Sequence, residues 1–125
     1  MNSVGPFLEL VAAHLDAGAL QRLRELDPDN RNGIVERVLH TYQTSLGASL
    51  QSFDAAAGDV EQLRRLAHTL KSSSASVGAL RLSALCAEVE NLARQGRDAE
   101  LRPAVERLRA EGEHLRDALA PLLAH

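Results

Sequence analysis

Aromatic side chains are scarce: Phe7, Tyr42 and Phe53 are the only ones, and tryptophan is absent. A hydrophobic core must therefore be aliphatic, and its Leu and Ala are strong helix formers. Cys86 is the sole cysteine. That excludes an internal disulfide and favours a reducing compartment, the cytoplasm. Neither sign of charge dominates, with 14 Lys and Arg against 17 Asp and Glu, net −3. This balance gives no electrostatic case for nucleic acid or for an anionic membrane surface. No apolar run approaches the ~20 residues of a membrane span. The first residues carry Glu9, His14 and Asp16 without a basic leader, so they do not read as a signal peptide.

Strand signals are also missing. There are no alternating Val/Ile/Thr runs, and Asn32-Gly33 is followed by a helical pattern. There is no Gly-rich phosphate loop, no Gly-x-Ser-x-Gly and no recognisable pair of catalytic carboxylates. His14, His40, His114 and His125 are scattered, and none forms an i, i+4 pair with another His or with Cys86. No metal site is predicted.

What remains is helical periodicity along a chain of 125 residues, the size of one domain. Phe7, Leu8, Val11 and Leu15 mark a short first helix starting near Pro6. A second short one carries Leu20, Leu23 and Leu26. After the break at Asp27-Pro28-Asp29-Asn30, a long stripe runs from Ile34 through Val35, Val38, Leu39, Tyr42, Leu46 and Leu50 to Phe53. It ends near Ala57, with Gly58 beyond it and Asp59 as cap of the next helix, Gln62 completing a capping-box variant. That next helix carries Leu63, Leu66, Leu70 and Val77 and stops at Gly78. Another holds Leu82, Leu85, Cys86, Val89, Leu92 and Ala93 and stops at Gly96. The last repeats Leu101, Val105, Leu108, Leu115, Leu119 and Leu122, with Gly112 in its seam and Asp98 as candidate cap. Pro103 places its start near residue 100 or later.

Long helices joined by short turns must lie antiparallel. The expected fold is all-α: an up-down four-helix bundle within residues 17–125, with one or two short N-terminal helices capping one end. Residues 1–16 are read as a separate N-terminal helix, either a cap or a linker remnant. A chain able to close four helices by itself is expected to be monomeric.

With Leu63 at zero on a helical wheel and about 100° per residue, Leu66, Leu70, Ser74 and Val77 fall within about 300° to 20°. His68 falls near 140° on the same wheel, almost opposite the buried stripe. Its outward neighbours are Arg64, Lys71, Ser72 and Ala75, with Glu61 on the same side. Ser72, Ala75, Ser76 and Ala79 are all small and leave flat ground toward the helix C-terminus. Lys71, one turn on, can reach back toward the ring. An exposed nucleophile, a cation and a flat approach suit docking to a macromolecule better than a small-molecule pocket. A neutral imidazole nitrogen can attack the phosphorus of an acyl phosphate. Lys71 and Arg64 can offset the charge gained, and Ser72 can donate to the phosphoryl oxygens. No metal ligands surround His68 in the sequence, so no cofactor is expected and Mg²⁺ would come with the partner. Cys86 reads as a small core residue.

The stretch His68-Thr69-Leu70-Lys71-Ser72-Ser73-Ser74-Ala75-Ser76-Val77-Gly78-Ala79 resembles the signature of histidine-containing phosphotransfer domains, His-x-Leu-Lys-Gly-Ser-Ser-Ala-x-Leu-Gly-Ala. The similarity runs from about Leu15 to Leu123. It includes Leu15-Asp16, the Gly58-Asp59 turn and Leu85-Cys86-Ala87-Glu88-Val89-Glu90. It implies a phosphoryl acceptor at His68 and charge neutralisation by Lys71, beside the docking face of Arg64, Ser72, Ala75, Ser76 and Ala79 read from the residues themselves. It also implies a phosphocarrier without kinase activity that shuttles phosphoryl groups between receiver-domain aspartates. The implied partners are a response-regulator receiver domain, a hybrid sensor kinase, or both. Ser72 stands where the family has glycine, and Val77 where it has leucine. Serine fills space otherwise left for a partner, which motivates an alternative: a helical adaptor that binds a receiver or kinase without being phosphorylated. The dimerisation helices of a sensor kinase fit worse. Thr69 is not acidic, no proline follows a turn later, and no ATP-binding segment is present.

Overall fold

The computed structural model describes residues 11–123. Five helices lie wholly among these described residues: α1 (Ala17–Glu25), α2 (Ile34–Ala55), α3 (Val60–Ser76), α4 (Leu80–Arg94) and α5 (Asp98–Leu123). There is no strand among the described residues. α3 packs on α4, α4 on α5, and α2 on both α5 and α3, so the four long helices close into a ring. α1 packs on α2 at one end. This is the expected capped four-helix bundle. No helix among the described residues is long and apolar enough to cross a membrane.

Local chemistry explains the boundaries. Asp16 caps α1, its Oδ2 accepting from the Ala19 N–H at 3.0 Å. Asp59 caps α3, its Oδ1 accepting from the Gln62 N–H at 3.1 Å, as the sequence predicts. Gly33 precedes α2 and has no side chain to cap it. The carboxylate of Asp27 does so from the preceding loop, accepting from the N–H of Asn32 at 3.1 Å and of Ile34 at 3.2 Å. Asp27 is buried to 7% exposure in doing this. α2 ends at Ala55, slightly before the predicted Ala57.

α5 corrects one expectation. It begins at Asp98 and carries Pro103 inside it. The Arg97 carbonyl accepts from the N–H groups of Glu100 and Leu101, both at 3.1 Å, so Arg97 holds the cap position. Asp98 instead lies in the first turn with Glu100, where carboxylates meet the positive end of the helix dipole. Pro103 deprives the Ala99 carbonyl of its usual partner. Both residues are exposed, so water can serve that carbonyl and the helix tolerates the proline.

Among the described residues the core is aliphatic apart from the rings of Phe53 and Tyr42, with Phe53, Leu39, Leu46, Leu50, Leu82, Leu108 and Leu119 fully buried. Burial of each such side chain stabilises by about 1.5–3 kcal/mol. α3 faces this core with Leu63, Ala67, Leu70 and Ser74. Leu66 is only half-buried at the stripe's margin, and Ala67 takes the inner place. The Ser74 hydroxyl pairs with the Tyr42 hydroxyl at 2.8 Å inside the core, and burial pushes the Tyr42 phenol up to about 12. Gly112 fills the α2–α5 seam: a Cβ there would lie 2.7 Å from Leu50 Cδ2. The Leu122 side chain lies outside what is described.

Val11 and Leu15 are buried at 0% and 4% exposure. The Asp16 N–H donates to the Gly78 carbonyl at 2.8 Å. Gly78 has φ +85°, and a Cβ on it would meet Asp16 N at 2.7 Å and Ala19 Cβ at 2.9 Å. The chain entering α1 is thus tied to the α3–α4 turn. Pro6, Phe7 and Leu8 of the expected first helix lie outside the described residues.

Asp27→Ala should lower the free energy of unfolding by about 1–2 kcal/mol, the cost of a lost cap, measured by equilibrium urea denaturation. Gly78→Ala should cost more, because about 1–3 kcal/mol of left-handed backbone strain adds to a clash with backbone that cannot rotate away.

Candidate functional site

His68 sits mid-way along α3 with its side chain 61% exposed. The outward orientation predicted from the helical wheel is therefore observed. Its Nδ1 lies 2.7 Å from Oε2 of Glu90 on α4. Glu90 is 2% exposed. Lys71 Nζ lies 2.6 Å from Glu90 Oε1, and Arg94 Nη2 lies 3.0 Å from Oε2. One buried carboxylate thus gathers donors from two turns of α3 and from the end of α4.

An ionised carboxylate is costly to bury unless charges and hydrogen bonds compensate it. Here the Lys71 hydrogen bond does most to hold the Glu90 carboxyl down at about 2, against an ordinary 4.5. Burial opposes that shift, and the hydrogen bond from His68 assists it. A carboxylate can only accept, so the neutral ring must carry its proton on Nδ1. Nε2, on the opposite side of this largely exposed ring, is then left unprotonated. A carboxylate in this position fixes the tautomer and orientation of an imidazole.

The other predicted residues differ in placement. Lys71 joins the cluster through Glu90 instead of reaching for the ring, and the Ser83 hydroxyl of α4 donates to its backbone carbonyl at 3.1 Å. Ser72, Ala75 and Ser76 are exposed along α3 beyond His68, and the Ser76 hydroxyl donates to the Ser72 carbonyl at 3.0 Å. The Arg64 guanidinium is paired with Glu61 at 2.5 Å. Ala79 does not belong to the exposed face: it is 3% exposed. The positive φ at Gly78 turns the chain inward, and Ala79 packs into the core at the start of α4. Leu80 is outward instead, at 53% exposure.

Sequence reasoning gave Glu90 and Arg94 no role. A signal was present: Glu90 stands four residues after Cys86 and one after Val89, on the inward stripe of α4. A charge on such a stripe requires partners.

A family model for the Hpt domain matches residues 6–122. The chain belongs to the Hpt domain family. Its function is accordingly histidine phosphotransfer in phosphorelays. Histidine-containing phosphotransfer protein B (HptB) from Pseudomonas aeruginosa PAO1 is 31% identical, with a TM-score of 0.74 over 88% of this chain and 94% of that one. A rice protein ascribed to the histidine-containing phosphotransfer proteins shares the fold at a TM-score of 0.78, with 19% identity over 94% of this chain and 89% of that one. Among curated proteins none matches significantly.

In this Hpt domain Cys86 is fully buried on α4, and burial pushes its thiol up to about 12. It is a core residue, not a nucleophile. Among the described residues no three His, Cys, Asp or Glu side chains are grouped to hold a metal ion.

Glu90 sets an acid limb to stability. Its carboxyl is depressed in the folded state, so its stabilisation is complete above pH 4.5 and is lost as pH falls toward about 2. Glu90→Gln should be less stable than the parent at neutral pH. Its free energy of unfolding should also fall less steeply between those two values, measured by urea titration at stepped pH.

Proposed function

We propose that His68 Nε2 is the phosphoryl carrier of this Hpt domain and that it exchanges the group with aspartates of receiver domains. The observation that carries this is an exposed imidazole whose Nδ1 lies 2.7 Å from the buried Glu90 carboxylate. The Nε2 lone pair attacks the phosphorus of an aspartyl phosphate. The N–P bond forms, the P–O bond breaks, and the aspartate leaves with the electron pair as a carboxylate. No proton has to move, because Nε2 carries none. The ring gains positive charge as the bond forms, and Glu90 at Nδ1 offsets it. Lys71, 34% exposed, can turn from Glu90 to the phosphoryl oxygens. Placement and charge compensation are what phosphoryl transfer asks of a protein. The reverse attack by a receiver aspartate returns the group.

The partners are a receiver domain, a hybrid sensor kinase, or both. They would dock along Ser72, Ala75 and Ser76. Ser72 is exposed, so its hydroxymethyl group adds bulk to that face and not to the core. Both oxygens of Glu90 are already engaged by donors, which supports leaving Mg²⁺ to the receiver. The domain acts as a carrier without kinase activity of its own. A four-helix ring that closes on itself supports a monomer, and the lone buried thiol fits the cytoplasm.

Incubation with a receiver phosphorylated on its aspartate should transfer label to the parent chain as acid-labile, base-stable phosphate. His68→Gln should take up none. Equal labelling of His68→Gln would falsify the assignment. Receiver binding without labelling of the parent would favour the adaptor, with Ser72 as the reason.

A further inference from the structure

Glu90 has three donors where the transfer step uses two. We infer that Arg94 is a positioning residue: it holds Glu90 Oε2 on His68 Nδ1, so that Lys71 can leave the carboxylate for the phosphoryl group without the carboxylate following it.

The geometry supplies the reason. Lys71 takes Oε1, while Arg94 and His68 share Oε2 at 3.0 and 2.7 Å. Arg94 lies one turn beyond Glu90 on the same helix, so it travels with the carboxylate and not with α3. Its guanidinium stays charged at any working pH. Among the described residues its hydrogen bond is to Glu90, not to His68 or Lys71, so its influence passes through that carboxylate.

Charge counting shows why two cations are needed. Before transfer the neutral ring, Glu90, Lys71 and Arg94 sum to one positive charge. The arriving phosphoryl unit brings one negative charge, and the sum becomes zero. With Lys71 alone, one cation must serve both a buried carboxylate and a phosphoryl group. The carboxylate, 3% exposed in its side chain, loses most if left unpaired, so it would keep the lysine and turn away from the ring.

The proposal rests on His68 as carrier, and its test separates the two ideas. The whole chain is compared as parent, Arg94→Met and Arg94→Lys. Arg94 is 58% exposed, so neither change should unfold the bundle. The first readout is the His68 tautomer in the unphosphorylated protein, from long-range ¹H–¹⁵N correlation spectra. The parent should show the proton on Nδ1. Arg94→Met should show a mixture with Nε2–H, and Arg94→Lys should resemble the parent. The second readout is the rate of labelling by potassium phosphoramidate, followed by ³¹P NMR. There the Nε2 lone pair forms the N–P bond, the donor's P–N bond breaks, and ammonia leaves with the electron pair. Arg94→Met should label about tenfold more slowly, as when a functional histidine loses an outer partner. Arg94→Lys should remain within about twofold, the scale of an exposed ion pair.

A parent-like tautomer in Arg94→Met overturns the proposal, whether or not labelling slows. Failure of the parent itself to label would count against His68 as carrier, while the tautomer measurement would still judge Arg94.

Discussion

The Glu90 carboxylate is the point on which the rest of the site depends. It is the one acidic side chain on the inner stripe of α4, almost wholly removed from water. Left alone there, it would take up a proton or leave the core. Its partners prevent both outcomes, and each is constrained in return. His68 is fixed in tautomer and ring orientation, Lys71 is drawn along the surface of α3, and Arg94 is held back against α4. A bundle of aliphatic helices thereby acquires an exposed imidazole whose orientation is set by a carboxylate withdrawn from the surface.

The helices deliver these groups together because their ends are chemically specified. Asp59 starts α3, and Gly78 stops it while also accepting the chain that enters α1. The α3–α4 turn is only three residues long, so α4 returns directly alongside α3. That return brings the Glu90 carboxylate under His68. Small exposed residues follow His68 along α3, and one large apolar side chain, Leu80, stands at the end of that face.

Much of this was legible in the sequence. Apolar spacing placed every long helix to within a few residues, and the wheel around Leu63 put His68 outside. The motif from His68 to Ala79 identified the family. The misreadings have physical causes. Pro103 was judged by its missing N–H alone, whereas the exposed Ala99 carbonyl can turn to water. Ala79 was counted with its small neighbours because a helical wheel knows nothing of the turn at Gly78. Glu90 and Arg94 went unnoticed because their importance lies between helices, and periodicity within one helix does not report which side chains of two helices meet.

The hydroxyl pair of Tyr42 and Ser74 adds little cohesion to a core that leucines would fill as well. Its value is angular. A hydrogen bond accepts one alignment of its partners, whereas aliphatic packing tolerates many, so the pair fixes how far α3 is rolled about its own axis against α2. Rolling the helix by a single residue would part the two hydroxyls inside the hydrocarbon and swing the imidazole off its carboxylate. A bond buried on the far side of α3 thus aims the ring on the near side.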